Sequence, residues 1–241
     1  MYVVKKLRSI VAFIIFGALS FGVAAQSTNL SIENYNSVTD ERLINPEDHN
    51  WLSYRGTLDG WGYSSLDEIS ASNVSDLEPV WSFSTGVLGG HESPPIVNDG
   101  VMFITTPGNL LYAIDAASGD LLWRYQHDLP ATYIAFHRTN RGVALYGDKV
   151  YMATLDARVI ALDAATGEKV WDKAVQDNSF GYYITMAPLA VDGKIMVGTS
   201  GGELGIRGFV VALDAETGNE AWRTYTVPGP GEPGNDSWPG E

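Results

Sequence analysis

Gly198-Thr199-Ser200-Gly201-Gly202 matches G-x-S-x-G, the turn that presents a serine nucleophile in many hydrolases. That chemistry needs a helix immediately after the serine, so that the hydroxyl stands exposed on a sharp strand-to-helix turn. No helix is expected after Ser200; Phe209–Leu213 reads as a strand. The same missing helix argues against a glycine turn that cradles a dinucleotide. His49, His91, His127 and His137 show no metal-ligand spacing and read as structural. The chain has no cysteine, which rules out disulfides, thiolate metal clusters and cysteine nucleophiles. Asn-x-Ser/Thr triplets at Asn29, Asn73 and Asn235 are too common by chance to use.

Composition narrows the field further. The 241 residues carry 15 Lys+Arg against 29 Asp+Glu, a net charge of −14. A sequence-independent nucleic-acid binder needs a basic surface, so no nucleic-acid partner is expected. Hydrophobic content of 45% with 26 Gly and 7 Trp points to a folded, turn-rich β protein. Residues 1–25 read as a cleaved export signal. Lys5, Lys6 and Arg8 precede an uncharged run from Ile10 to Val23, and Ala24-Ala25 stand before the cleavage point. The apolar run is short for a membrane core of about 30 Å. A periplasmic protein without stable membrane insertion is expected.

The elements that must position any chemistry come from a repeat. Ala113-Ile-Asp115-Ala-Ala-Ser118-Gly119-Asp-Leu-Leu-Trp123 recurs as Ala161-Leu-Asp163-Ala-Ala-Thr166-Gly167-Glu-Lys-Val-Trp171. It recurs again as Ala212-Leu-Asp214-Ala-Glu-Thr217-Gly218-Asn-Glu-Ala-Trp222. The tryptophans lie 48 and 51 residues apart, and Trp81 in Pro79–Phe83 reads as a degenerate earlier copy. In each copy an alternating strand ends at the Asp. A tight turn follows, with the Asp carboxylate bonding turn amides and Gly supplying positive φ. The next strand carries the Trp. Further strands are expected at Val101–Thr105, Lys149–Thr154 and Lys194–Gly198, and no helix after Ala25. Four short antiparallel strands per period of forty-odd residues predict an all-β fold of β-propeller blades. About three to four blades are present, too few to close a ring. Residues 26–75 read as an N-terminal arm, 76–228 as blades, and 229–241 as a Pro/Gly-rich loop; the chain reads as a fragment.

The Ala-x-Asp-x-x-Thr-Gly-x-x-x-Trp pattern resembles the tryptophan-docking motif of pyrroloquinoline quinone (PQQ)-dependent alcohol dehydrogenases, whose propellers have eight blades. Outside the repeats the resemblance includes Ser84-Thr85-Gly86, Gly90-His91-Glu92, Asn140-Arg141-Gly142, Thr185-Met186-Ala187-Pro188 and Ser200–Gly208. It covers nearly all of residues 51–238. It implies that Glu92, Arg141, Thr185 and Ser200 surround PQQ, a planar tricarboxylate with an ortho-quinone. Arg141 would fork onto a carboxylate or quinone oxygen. Gly201 and Gly202 would let backbone amides approach closely. Glu203 would be the carboxylate ligand of Ca2+, or of a lanthanide in some members.

The implied activity is oxidation of a small alcohol to an aldehyde or ketone. An Asp removes the hydroxyl proton, hydride passes to PQQ, and electrons leave to a c-type cytochrome. That Asp is expected downstream of residue 241, so no catalytic residue is assigned here and the fragment alone is expected to be inactive. Many members carry adjacent cysteines before the Asn-Arg-Gly, where this chain has Ala135-Phe136. The flat platform would come from other groups, Phe136 or its backbone among them. The alternative is a non-enzymatic PQQ-like propeller scaffold of the cell envelope, which has no reason to keep Glu92, Arg141 and Ser200–Gly208. The alcohol, the metal and the oligomeric state stay open.

Overall fold

The computed structural model describes residues 32–238. The expected export signal at residues 1–25 lies outside them.

Three four-stranded antiparallel sheets follow one another along the chain. The first holds β1 (Ile96–Asn98), β2 (Val101–Thr106), β3 (Leu110–Asp115) and β4 (Leu121–Gln126). The second holds β5 (Val143–Tyr146), β6 (Lys149–Ala153), β7 (Arg158–Asp163) and β8 (Lys169–Ala174). The third holds β9 (Leu189–Val191), β10 (Lys194–Gly198), β11 (Phe209–Asp214) and β12 (Glu220–Tyr225). Strand order within each sheet is sequential, and innermost β5 lies beside both β2 and β9. These are three blades of a propeller.

The repeat explains the blade. Asp115 Oδ1 accepts from the amides of Ala117 and Ser118 at 2.9 and 2.8 Å, and Asp163 and Asp214 repeat the bond to the Thr amide. The amide bonds hold the Asp115 carboxyl below the usual range, and the Thr217 hydroxyl, helped by the Thr217 amide, does the same for Asp214. The register slips at one place in every blade, between Ala113 and Ile114, Ala161 and Leu162, and Ala212 and Leu213. Such a bulge sharpens the local twist of the strand that carries the Trp.

Two of the three repeat tryptophans dock on the next turn. Trp123 Nε1 donates to Ala164 O at 3.1 Å and Trp171 Nε1 to Ala215 O at 2.9 Å. Trp81 belongs to no strand among the described residues, yet its Nε1 donates to Ala116 O at 3.0 Å. It docks as the complete copies do. The turn glycine has φ near +75°, and a Cβ added to Gly167 would lie 2.6 Å from the Trp123 ring. Glycine is therefore required twice over, by conformation and by contact.

Two differences from the sequence reading stand out. The strands ending at Asp do not alternate in burial: β3 and β7 bury four consecutive residues, and all five of β6 are buried. Sheets stacked on both faces leave no solvent side for polar alternation. A short helix also forms, α1 (Asp40–Ile44), capped by Thr39, whose hydroxyl accepts from Arg42 N. Its five residues are too few to show helical periodicity, so the sequence gives no sign of it. Asp40 at its start accepts from Tyr146 Oη at 2.6 Å and Asp192 N at 2.7 Å, tying the second blade to the third.

Between the first two blades His127 Nε2 meets Asp156 at 2.9 Å, both buried. Burial pushes the Asp156 carboxyl up. The hydrogen bonds from His127 and Thr154 outweigh it and hold the group below the usual range. Among the described residues, no helix is long and apolar enough to cross a membrane.

Candidate functional site

Loops at the ends of the inner strands converge on one open hollow of about 580 Å3. Thr185, Ser200, Gly201, Gly202 and Glu203 line it together with Tyr183 and His137. Ser200 is held by a local two-stranded bridge: its amide donates to Tyr183 O at 2.7 Å and its carbonyl accepts from Tyr183 N. Gly201 has φ +117°, and a Cβ there would lie 2.2 Å from Gly181 O. Packing against backbone therefore dictates that glycine, while a Cβ on Gly202 would meet nothing within 4 Å. Gly202–Leu204 form one 3-10 turn that carries Glu203. A turn this short is not the helix a serine nucleophile elbow needs.

Arg141 is joined to this hollow through Thr185. Its Nη1 donates to Thr185 Oγ1 at 2.7 Å, and its Nη2 meets Glu92 Oε2 at 2.9 Å. Its backbone amide donates to Thr185 O at 2.9 Å. Thr185 Oγ1 lies 3.3 Å from Ser200 Oγ. Glu92, Arg141, Thr185 and Ser200 thus form one polar chain ending beside Glu203. Glu92 does not line the Ser200 hollow; it faces two neighbouring ones, of about 750 and 450 Å3. Buried Asn140 fixes the loop under Arg141: it accepts from Thr105 Oγ1 at 2.8 Å and Gly142 N at 3.0 Å, and donates to Ala153 O at 2.9 Å.

Two lining residues escaped the sequence reading. Tyr183 is buried, and burial pushes its hydroxyl pKa up; Glu203 adds to the shift, against the Phe136 backbone and Arg141. His137, read from the sequence as structural, reaches the wall of the hollow. Only the stacking of the second blade on the third brings residues so distant in sequence together. Phe136 is 59% exposed and lines the 450 Å3 hollow, not the one at Ser200. Asn178, bonded to both N and O of Ile134 at 2.8 Å, holds the segment in this course.

The donor set fits a flat polyanion. A guanidinium with unused N–H groups and two hydroxyls suit carboxylates and quinone oxygens. No Cβ obstructs approach at Gly202. A hard cation fits only in part. Ca2+ takes about six to eight oxygen ligands, and no group of three His, Asp or Glu gathers among the described residues. Glu203 offers one carboxylate, and a cation there would take its other oxygens from elsewhere.

Comparison with known proteins agrees with this geometry. The family model "PQQ: Glucose/ethanol/alcohol dehydrogenase, beta-propeller domain" matches residues 51–241. The quinohemoprotein alcohol dehydrogenase ADH IIB of Pseudomonas putida is 46% identical over 182 residues, 74% of this chain and 26% of that protein. The solved structure of quinohemoprotein alcohol dehydrogenase ADHIIG from Pseudomonas putida HK5 superposes with a TM-score of 0.77 at 42% identity. It covers 82% of this chain, which spans 30% of that one. A europium-containing methanol dehydrogenase superposes with a TM-score of 0.75 at 38% identity, over 80% of this chain and 35% of that one. The chain thus spans about a third or less of the length of most of these relatives.

Proposed function

Because the chain belongs to the glucose/ethanol/alcohol dehydrogenase family of PQQ β-propellers, we propose that it forms part of a periplasmic quinoprotein that oxidises a small alcohol to an aldehyde or ketone. The observation that carries this reading is the polar chain Glu92–Arg141–Thr185–Ser200, ending beside Glu203 at one hollow. When bound, PQQ with its metal ion supplies the two-electron acceptor for the alcohol.

The residues present bind and orient. Arg141 offers N–H donors beyond those spent on Glu92 and Thr185, and its fixed positive charge stabilises negative charge on a quinone or carboxylate oxygen. Thr185 accepts from Arg141, which leaves its own O–H free to donate to Ser200 or to the ligand. Gly202 leaves its backbone open to a carboxylate. Glu203 would hold a Ca2+ or lanthanide ion by its carboxylate, the ion's other oxygen ligands coming from elsewhere. No aspartate lines the hollow among the described residues; the base that removes the hydroxyl proton is assigned to another part of the whole enzyme. Electrons pass from the whole enzyme to a c-type cytochrome. A scaffold would use the same three sheets but leaves the Arg141 chain without a purpose.

Calorimetric titration of the purified chain with PQQ, with Ca2+ and with chelator, tests the reading. Saturable binding strengthened by Ca2+ is expected, with the Ca2+ effect lost in Glu203→Gln. No binding under either condition would reject it.

A further inference from the structure

The hollow of about 750 Å3 is walled by aromatic rings and prolines. Trp51 and Tyr54 enter it from the N-terminal arm, and Pro94 and Pro95 from the lead into β1. Trp51 is fixed in place. Its N and O pair with O and N of Val97 at 2.9 Å, and a Cβ added to Gly56 would lie 3.1 Å from its ring. Arg55 follows on the same segment and lines the same hollow. Gly62 N donates to Arg55 O at 3.0 Å and closes residues 55–62 into a loop beside the guanidinium.

Charge gives this placement a use. Glu92 Oε2, on the same wall, meets Arg141 Nη2 at 2.9 Å, and His91 meets Thr85 Oγ1 and Gly89 O at 3.0 Å. Arg55 makes no ion pair and no side-chain hydrogen bond among the described residues; its guanidinium carbon lies 5.8 Å from the Tyr54 ring centroid. The Trp51 indole N–H and the Tyr54 hydroxyl likewise have no partner among them. One free guanidinium against aromatic and proline walls is the complement of a flat apolar group that carries one carboxylate. A second carboxylate would face Glu92 with no further free cation in the hollow, so a tricarboxylate such as PQQ suits it poorly.

We propose that this hollow is a further binding site, for a small aromatic monocarboxylate. The ring lies against Trp51 and Tyr54, and the carboxylate takes the planar fork of Arg55. The Trp51 wall is already formed, so little ordering opposes binding. The site neighbours the Ser200 hollow through the Glu92–Arg141 pair, and it stands whether or not that hollow takes PQQ.

The test is calorimetric titration of the full chain with benzoate and with its neutral counterpart benzamide, with thermal melts as the folding check. The variants are Arg55→Gln and the double change Glu92→Gln with Arg141→Gln, which removes the second guanidinium without leaving Glu92 unpaired. A charge-assisted hydrogen bond to a carboxylate corresponds to about ten- to hundred-fold in affinity. The parent is expected to bind benzoate saturably and benzamide more weakly by about that factor. Arg55→Gln should weaken benzoate binding by the same factor with an unchanged melting temperature, and the double variant should bind benzoate at least as tightly as the parent. Equal affinity for benzoate and benzamide, parent-like affinity in Arg55→Gln, or no saturable binding would each overturn the proposal. Loss in the double variant alone would place the anion at Arg141 and overturn it too. None of these outcomes touches the PQQ titration that tests the functional reading.

Discussion

Trp123 and Trp222 occupy the same place in the same repeat and live in different surroundings. Trp123 is 1% exposed, with its indole N–H on Ala164 O; Trp222 is 40% exposed with no such partner among the described residues. What differs is the neighbour: Trp123 has a turn glycine and a sheet to cover it, while Trp222 has none among the described residues. The motif is therefore one half of a joint, and its energy depends on the blade beside it. The Arg141 cluster contrasts with both. It is made from irregular loops, stays half-exposed, and couples polar groups where the joints bury apolar ones. Repetition holds the blades together, and departures from repetition carry the chemistry.

The largest effect should separate the two tryptophans. Trp123→Ala is expected to cost about 3–5 kcal/mol, by lost burial and a cavity at the joint. Trp222→Ala should cost under about 1 kcal/mol, since an exposed side chain loses little. Urea unfolding of both variants measures the gap, and equal costs would break the comparison.

Next comes the turn itself. Gly167→Ala adds a Cβ that would lie 2.6 Å from the Trp123 ring at φ +75°, whereas a Cβ on Gly60, at φ +73°, meets nothing within 4 Å. Gly60→Ala should cost about 1–2 kcal/mol for the left-handed conformation alone. Gly167→Ala should cost more, the excess measuring the contact with the indole.

Arg141→Ala should do the opposite of Trp123→Ala. Its ion pair with Glu92 is partly solvated, and such pairs contribute about 0–1 kcal/mol. Stability should barely move, while PQQ affinity should fall at least about ten-fold. A variant that lost stability and kept its affinity would place Arg141 with the joints.

The smallest effect concerns the His127–Asp156 pair. Asp156 titrates below its ordinary value of about 3.9. A depressed carboxyl contributes stability that is fully present above the unfolded pKa and is lost as pH falls through the folded one. The parent should thus lose stability below about pH 4, and Asp156→Asn should show a shallower acid slope. Melting temperatures between pH 3 and pH 6 measure it.

Much of this was legible before any coordinates. Asp115, Gly119 and Trp123 with their two sets of counterparts marked turn, positive φ and docking contact, because each is a local requirement repeated in register. Thr185, Ser200 and Glu203 were legible through family resemblance alone, and they do meet at one hollow. His137 was not, because nothing local distinguishes it; its position depends on how one blade stacks on the next. The course of the Phe136 loop was not legible for the same kind of reason, since hydrogen bonds to Asn178 set it. Helix α1 escaped because five residues held by a Thr39 cap carry no periodic pattern.

A crystal structure of the chain with PQQ and Ca2+ tests the central claim most directly. The account predicts the planar ring in the Ser200 hollow, a carboxylate or quinone oxygen within hydrogen-bond distance of Arg141, and the ion on Glu203. An empty hollow with PQQ bound elsewhere, and the Arg141–Glu92 pair unchanged at 2.9 Å, would contradict it.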